Sequence, residues 1–370
     1  MVSVHTSQEL QLRVVASPAF RNRESNPYNW LLYSNMRADV TEYSNRLAPV
    51  PGATILHVHW PEKELNTARN MAFTYARLRC RLLAIDRWRK QGAKLVWTVH
   101  NLKTHEQLHP RVEQWFWREF TSRVDGFIAL SKAGLEAARR EYPRLESIPG
   151  FVIPHGHYRD EYPNDSGQDA RARLGIGAHT KVLLFFGKIR PYKNLASLIS
   201  AFRRLEPEDT QLYIVGQPDD PRLEDELPVL AASDPRVHLC FSYIPKEAAQ
   251  LYFRAADLVV LPFREILNSG SALLALSFNR PVLVPLLGAM GELAEAVGRD
   301  WVRTYTGNIT TSTIVQSLHW STNTVRAAEA PLTSFAWPEI ATQTLQAYQA
   351  IAAQAFATEL ATMRTGAGNP

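Results

Sequence analysis

Two short stretches concentrate residues able to handle a phosphate-bearing substrate. The first is GKIRPYK at 187–193, where Lys188, Arg190 and Lys193 surround a stiff Pro191–Tyr192 pair directly after the apolar run VLLFF. Three cations where a buried strand gives way to a helix suit a diphosphate, because the first helical turn also presents unpaired backbone N–H groups. The second is LNSGSALLALS at 267–277, in which Asn268, Ser269, Gly270 and Ser271 precede an apolar helix. Small residues let the backbone approach an anion, and the helix dipole favours negative charge there. The same residue types make ordinary N-caps, and a basic loop needs no ligand to be stable in water. Two anion-competent turns in one half of the chain favour the binding reading.

Acid–base chemistry would come from the other half. HVHWPEKEL at 57–65 closes an apolar run with His57, His59 and Glu62, and HNLKTHE at 100–106 places His100, Asn101, His105 and Glu106 after another. Glu62 follows a proline on a defined turn and is the first candidate for a general base, with His100 the second. No metal site is expected. His57 and His59 are read as facing opposite sides of their strand, and no set has ligand spacing. For each histidine the bland alternative is a satisfied structural residue.

The elements that must position these residues alternate regularly. LRVVAS, ATILHVHW, KLVWTVH, GFIALS and GFVIPHG read as buried strands separated by helical patterns. After the polar stretch YRDEYPNDSGQDARARLG the rhythm restarts with KVLLFFG, QLYIVG, VHLCFSY, LVVLPF and PVLVPLLG. The expected fold class is therefore α/β, with two doubly wound parallel sheets. The boundary is placed between 155 and 170, giving a first domain of 1–160 and a second of 161–370 that ends in a long helix after Pro338. Such sheets bind ligands at the carboxyl ends of their strands, which is where both sets of residues lie.

Composition narrows the setting. The chain has 370 residues, 45% of them apolar, enough for two cores without disulfides. Its two cysteines, Cys80 and Cys240, fit no zinc or redox spacing and suggest a reducing, cytoplasmic compartment. The first fifteen residues lack the apolar centre of a signal peptide, and no run of about 18 apolar residues predicts a membrane span. A net charge of +5 suits phosphate-bearing ligands or an anionic membrane surface. Nucleic acid is not expected, because aromatic residues are not interleaved with the basic clusters. Residues 69–90 carry Arg69, Arg77, Arg79, Arg81, Arg87, Arg89 and Lys90 against a single Asp86. Met71, Tyr75, Leu78, Leu82 and Ile85 fall on one helical face there, which either packs on the core or lies peripherally on anionic lipid.

Taken in order, FVIPHG, FFGKIRPYKNLASLISAF, LYIVG, LYFRAADLVVLPF and RPVLVP resemble the nucleotide-sugar glycosyltransferases of GT-B fold. The resemblance implies two Rossmann-like domains facing across a cleft, with the donor on the second and the acceptor on the first. It implies that Arg190 and Lys193, with Lys188 beside them, hold the donor diphosphate, and that the backbone amides of Asn268–Ser271 meet the phosphates. The segment around Tyr243 would flank the base. HVHWPE, TVHNLKTHE, IPHGHYRD and LNSGSALLALSFNRPVL narrow this to a resemblance to the xanthan-type β-mannosyltransferases. That family implies GDP-mannose as donor, a glycan acceptor linked to polyprenyl diphosphate, inversion, and neither metal nor cofactor. In it the position of His100 touches the donor sugar or phosphate. Retaining relatives carry a glutamate near each end of the donor turn, and the matching positions here are Ile266 and Leu274, with Glu265 nearby. A retaining transferase acting on a soluble glycoside with another UDP- or GDP-sugar, and a catalytically silent sugar-nucleotide-binding protein, are the alternatives.

Overall fold

All ten apolar runs form strands in the computed structural model, which describes residues 12–24, 26–44, 47–49, 54–65, 70–104, 108–163, 170–206, 209–232 and 234–366. Two further strands complete the sheets. By internal contacts the chain forms two units, Met1–His155 with Trp337–Pro370, and Gly156–Ala336.

In the first unit β1 (Arg13–Ser17), β2 (Asp39–Glu42), β3 (Thr54–His59), β4 (Lys94–Val99), β5 (Gly126–Ala129) and β6 (Gly150–Val152) make one parallel sheet in the order β2-β1-β3-β4-β5-β6. In the second, β7 (Lys181–Phe186), β8 (Thr210–Val215), β9 (Val237–Cys240), β10 (Leu258–Val260), β11 (Val282–Pro285) and β12 (Val302–Tyr305) run in the order β12-β11-β10-β7-β8-β9. The central strands are apolar throughout because helices cover both faces of a parallel sheet. Strands β2 and β12, DVTE and VRTY, carry no apolar run because each lies at a sheet edge. Strand order reverses between β1 and β3 in one sheet and between β7 and β10 in the other. The turns leaving those strands diverge and open a crevice at the carboxyl end.

The terminal helix Trp337–Gly366 departs from the expected division. It packs on the helix Tyr28–Ser34 and on β4 of the first unit, burying Ile340, Tyr348 and Ile351. Gly126 permits the approach: a Cβ there would lie 2.4 Å from the Ile351 side chain. The chain thus returns to its first unit after completing the second, which strand rhythm alone cannot reveal.

The helix Met71–Lys90 also differs in detail. Its inward stripe is Thr74, Leu78, Leu82, Ile85 and Trp88, whereas Met71 and Tyr75 are exposed. Among the cations, Arg77 donates to the Glu64 carbonyl, Arg81 to Ser17 Oγ, and Arg89 pairs with Asp125. Arg79, Arg87 and Lys90 remain on the outer face. Arg69 lies outside the described residues.

Candidate active site

In the second unit the crevice between β7 and β10 brings the two phosphate-type motifs together. Chain leaves β7 at Gly187, whose φ of +124° suits only glycine. A Cβ on Gly187 would lie 3.5 Å from both Lys193 Nζ and Ser271 Oγ, so the basic turn and the small-residue turn meet over this glycine. Gly216, at the end of β8, lets that strand end close up, since a Cβ there would stand 2.1 Å from the Gly187 carbonyl oxygen. The loop after β10 is tied to the basic turn by two bonds: Arg264 N–H donates to the Tyr192 carbonyl and Arg264 Nε to Asn194 Oδ1.

The three cations are not equivalent. Arg190 and Lys188 both reach Asp219, at 2.6 Å and 3.4 Å. Burial pushes the Asp219 carboxyl up, but the Arg190 hydrogen bond and both positive charges outweigh it and hold it below its ordinary value. Lys193 is buried instead, its ammonium 5.3 Å from the centre of the Phe185 ring, with no hydrogen-bond or ion-pair partner among the described residues. Burial, reinforced by the charge of Arg190 and only partly offset by the Asp219 carboxylate, lowers its pKa to about 7. The cluster therefore carries more positive charge than Asp219 balances, and the least compensated cation faces the crevice.

The second turn divides its labour. Ser269 is a structural cap, accepting from Ala272 N–H at 3.1 Å at the start of the helix Gly270–Ser277. Ser271 is the hydroxyl beside Gly187 and Lys193. Asn268 and Gly270 lie in the same turn. Tyr243 follows β9, two strands from β7 at the sheet edge, and is exposed.

In the first unit Glu62 and His100 lie at the carboxyl ends of the neighbouring strands β3 and β4. Glu62 sits in the 3-10 turn Pro61–Glu64, is buried, and accepts from Asn101 Nδ2 at 2.7 Å. Burial raises its pKa to about 7, the Asn101 hydrogen bond working against the rise. A carboxyl poised there is matched to proton abstraction near neutrality.

His57 and His59 do not face opposite sides as the sequence reading had them. Residues two apart on a strand share a face, and their ring centroids are 4.1 Å apart. They join a buried chain of hydrogen bonds. Tyr33 Oη lies 2.8 Å from His57 Nδ1 and 2.7 Å from His59 Nε2, and His59 Nδ1 lies 3.0 Å from His100 Nε2. His57 also meets Thr98 Oγ1 at 2.8 Å through Nε2, and Tyr348 Oη through Nδ1. Burial lowers the pKa of His57 to about 3 and holds His59 and His100 well below their ordinary values, so all three are neutral. The His100 ring stacks on Trp60, whose φ is +45°, at 4.1 Å, and Tyr28 lies perpendicular to it with ring centroids 4.8 Å apart. Among the described residues no group of three or more histidine, cysteine, aspartate or glutamate side chains could hold a metal. His105 and Glu106 lie outside the described residues.

Sequence reasoning missed Asp219, Tyr33 and Tyr348. Asp219 had a signal in its position just after a strand end, in VGQPDDPR. The two tyrosines had none, since only the folded first unit brings 33, 57 and 348 together.

Residues 180–310 match the model of the family described as glycosyl transferases group 1. The chain is 31% identical over 339 residues to a GDP-mannose:glycolipid 4-beta-D-mannosyltransferase of Xanthomonas campestris pv. campestris, covering 89% of this chain and 90% of that one. Two solved structures share the fold. The Anabaena protein HepE, in complex with UDP-glucose, superposes with a TM-score of 0.60 at 16% identity, over 94% of this chain and 99% of that one. WaaG, a glycosyltransferase involved in lipopolysaccharide biosynthesis, gives 0.54 at 17%, over 89% and 94%.

Proposed function

The chain belongs to the group 1 glycosyltransferases of GT-B fold, nucleotide-sugar-dependent hexosyltransferases, and we propose that it moves mannose from GDP-mannose onto a glycolipid acceptor with inversion. The observation that carries this reading is Lys193, a buried ammonium with no direct ion-pair partner among the described residues, where the strand ends at Gly187 and Gly216 and the Ser271 turn converge. A donor diphosphate is the dianion that fits such a place. The donor identity and the glycolipid come from the relative's specificity, and the missing glutamates at Ile266 and Leu274 favour inversion over retention.

In this reading the second unit takes the donor and the first takes the acceptor. Glu62 removes the proton from the acceptor hydroxyl as its oxygen forms a bond to the anomeric carbon. The bond from that carbon to the diphosphate breaks, and GDP leaves with the electron pair. Lys193, Arg190 and the amides of Asn268–Ser271 meet the charge that develops on the leaving group, with Lys188 at the rim and Tyr243 beside the base. His100 contacts the donor sugar or its phosphate. Chelator should not affect turnover, since side chains and amides supply the positive charge.

Thermal unfolding with candidate donors tests the assignment directly. GDP-mannose at 100 times its dissociation constant should add about 2.7 kcal/mol of stability, and UDP-sugars at equal concentration should add much less. Equal or greater stabilisation by UDP-sugars would move the donor assignment elsewhere.

A glycolipid acceptor also calls for contact with a bilayer, and we assign it to the helix Met71–Lys90. No helix among the described residues is long and apolar enough to cross a membrane. The outer face of this one presents Phe73 and Leu83, each more than half exposed, beside Arg79, Arg87 and Lys90. Vesicles with anionic lipid should retain the protein and salt should release it. Arg79→Glu with Arg87→Glu should weaken retention, whereas Arg77 and Arg81 make contacts inside the unit and are the wrong probes. Equal binding to neutral and anionic vesicles would show that this face is not a lipid contact.

A further inference from the structure

The hydrogen-bonded chain behind His100 has more members than a packed core needs, and its donors and acceptors can be counted. Neutral imidazole has one N–H and one in-plane lone pair, and each phenol has one O–H. His57 Nδ1 is approached by two phenols, Tyr348 at 2.5 Å and Tyr33 at 2.8 Å, yet its lone pair can accept only one proton. If the nearer Tyr348 supplies it, His57 carries its hydrogen on Nε2 and donates to Thr98 Oγ1. Tyr33 then has two acceptors in reach, the neighbouring Tyr348 oxygen and His59 Nε2 at 2.7 Å; the short, well-placed contact is the one to His59, and we take Tyr33 to donate there. That places the His59 hydrogen on Nδ1, where it donates to His100 Nε2 at 3.0 Å. The hydrogens of Tyr348, Tyr33, His57 and His59 each have an acceptor on this assignment, and the remaining hydrogen of His100 sits on Nδ1, which has no hydrogen-bond partner among the described residues.

We propose that Tyr348, acting through His57, Tyr33 and His59, holds His100 as the Nδ1–H tautomer, a neutral hydrogen-bond donor and not a base. The proposal deepens the transferase reading, because it rests on His100 facing the donor. It also divides the roles left open between two residues: Glu62 takes the proton and His100 gives a hydrogen bond. Neutrality follows from burial, and the ring plane is fixed by Trp60 on its face and Tyr28 at its side. Which imidazole nitrogen bears hydrogen is set by the bond made at the other. Here that bond is controlled from the terminal helix, 248 residues further along the chain. Without Tyr348 the His57 lone pair is free, Tyr33 can turn to it, and the polarity of the His59–His100 bond reverses. His100 Nδ1 then becomes an acceptor and its donor function is lost.

Full-length protein labelled with 15N-histidine tests this by long-range 15N–1H correlation spectra, which distinguish the two tautomers. In wild type His100 and His59 should carry hydrogen on Nδ1 and His57 on Nε2. Tyr348→Phe should move His59 and His100 towards Nε2–H and lower kcat by about tenfold or more, the scale found for the orienting partners of metal-bound histidines, with KM for donor little changed. Tyr33→Phe removes the donor to His59 and serves if Tyr348→Phe does not fold; it should likewise release the His100 tautomer. Loss of helix packing alone would lower stability without moving the tautomer. Finding His100 as Nε2–H in wild type, or unmoved in both variants, would overturn the proposal. If the tautomers behave as stated but His100→Ala transfers sugar normally, the network stands and the placement of His100 at the donor fails.

Discussion

Glu62→Gln is expected to retain donor affinity and lose transfer by about two to four orders of magnitude, the usual contribution of a positioned general base. The substitution is nearly isosteric, and the amide oxygen can still accept from Asn101, so the turn should keep its shape. Only the ability to take a proton goes. The loss should therefore appear in kcat, measured by initial rates at saturating donor and acceptor. In wild type the rate should fall on the acid side with a midpoint near 7, where burial has placed the carboxyl. Stability should respond in the opposite sense. The folded carboxyl holds its proton to about pH 7 and the unfolded one only to about 4.5, so the protonated group favours the folded state below 4.5 and this contribution fades as pH rises through 7. Glu62→Gln should consequently be more stable than wild type above pH 7, in denaturant titrations at pH 6 and 8. Near-wild-type turnover in this variant, with His100→Ala inactive but still binding donor, would reverse the two roles.

How far the sequence reveals such a site depends on the distance over which its parts are determined. The strand runs, and with them the carboxyl-end positions of Glu62, His100 and GKIRPYK, are local: each needs only an apolar stretch and the turn after it. Where those ends meet is a matter of strand order. Nothing in the residues themselves says that β7 neighbours β10, yet that pairing sets Ser271 beside Lys193 and makes one site of two motifs. The histidine pair failed for a different reason. The strand period of two puts His57 and His59 on one face, not on opposite ones. The terminal helix shows the largest gap. That a long helix follows Pro338 is plain in the sequence, but its partner surface is the first sheet, and only Gly126 hints at the accommodation. Tyr348 becomes legible only once that docking is known.

Burial also changes what substitution of Lys193 should do. Read from sequence it is one of three loop cations, and replacing any of them would leave stability nearly untouched. In the fold it is an enclosed ammonium with no direct ion-pair partner among the described residues and only the shared charge of Asp219 nearby, which costs stability until a diphosphate arrives. Lys193→Met, similar in length and without charge, is therefore expected to raise the stability of the unliganded protein while weakening donor binding by about 2–5 kcal/mol, the range for removing one member of a buried charge pair. The pH dependence fixes the sign. The folded lysine loses its proton near 7 and the unfolded one near 10.5, so wild-type stability should climb with pH between those values. The methionine variant lacks that climb, and its advantage should be greatest below pH 7 and fade towards 10.5. Donor binding runs the other way: the diphosphate favours the charged amine, so affinity should strengthen as pH falls through 7, with proton uptake detectable by calorimetry in buffers of different ionisation enthalpy. GDP-mannose suits the measurement because its esterified diphosphate does not titrate in that window. An unliganded Lys193→Met protein less stable than wild type at pH 6, together with unchanged donor affinity, would show that Lys193 packs the turn and that Arg190 with Lys188 must hold the donor alone.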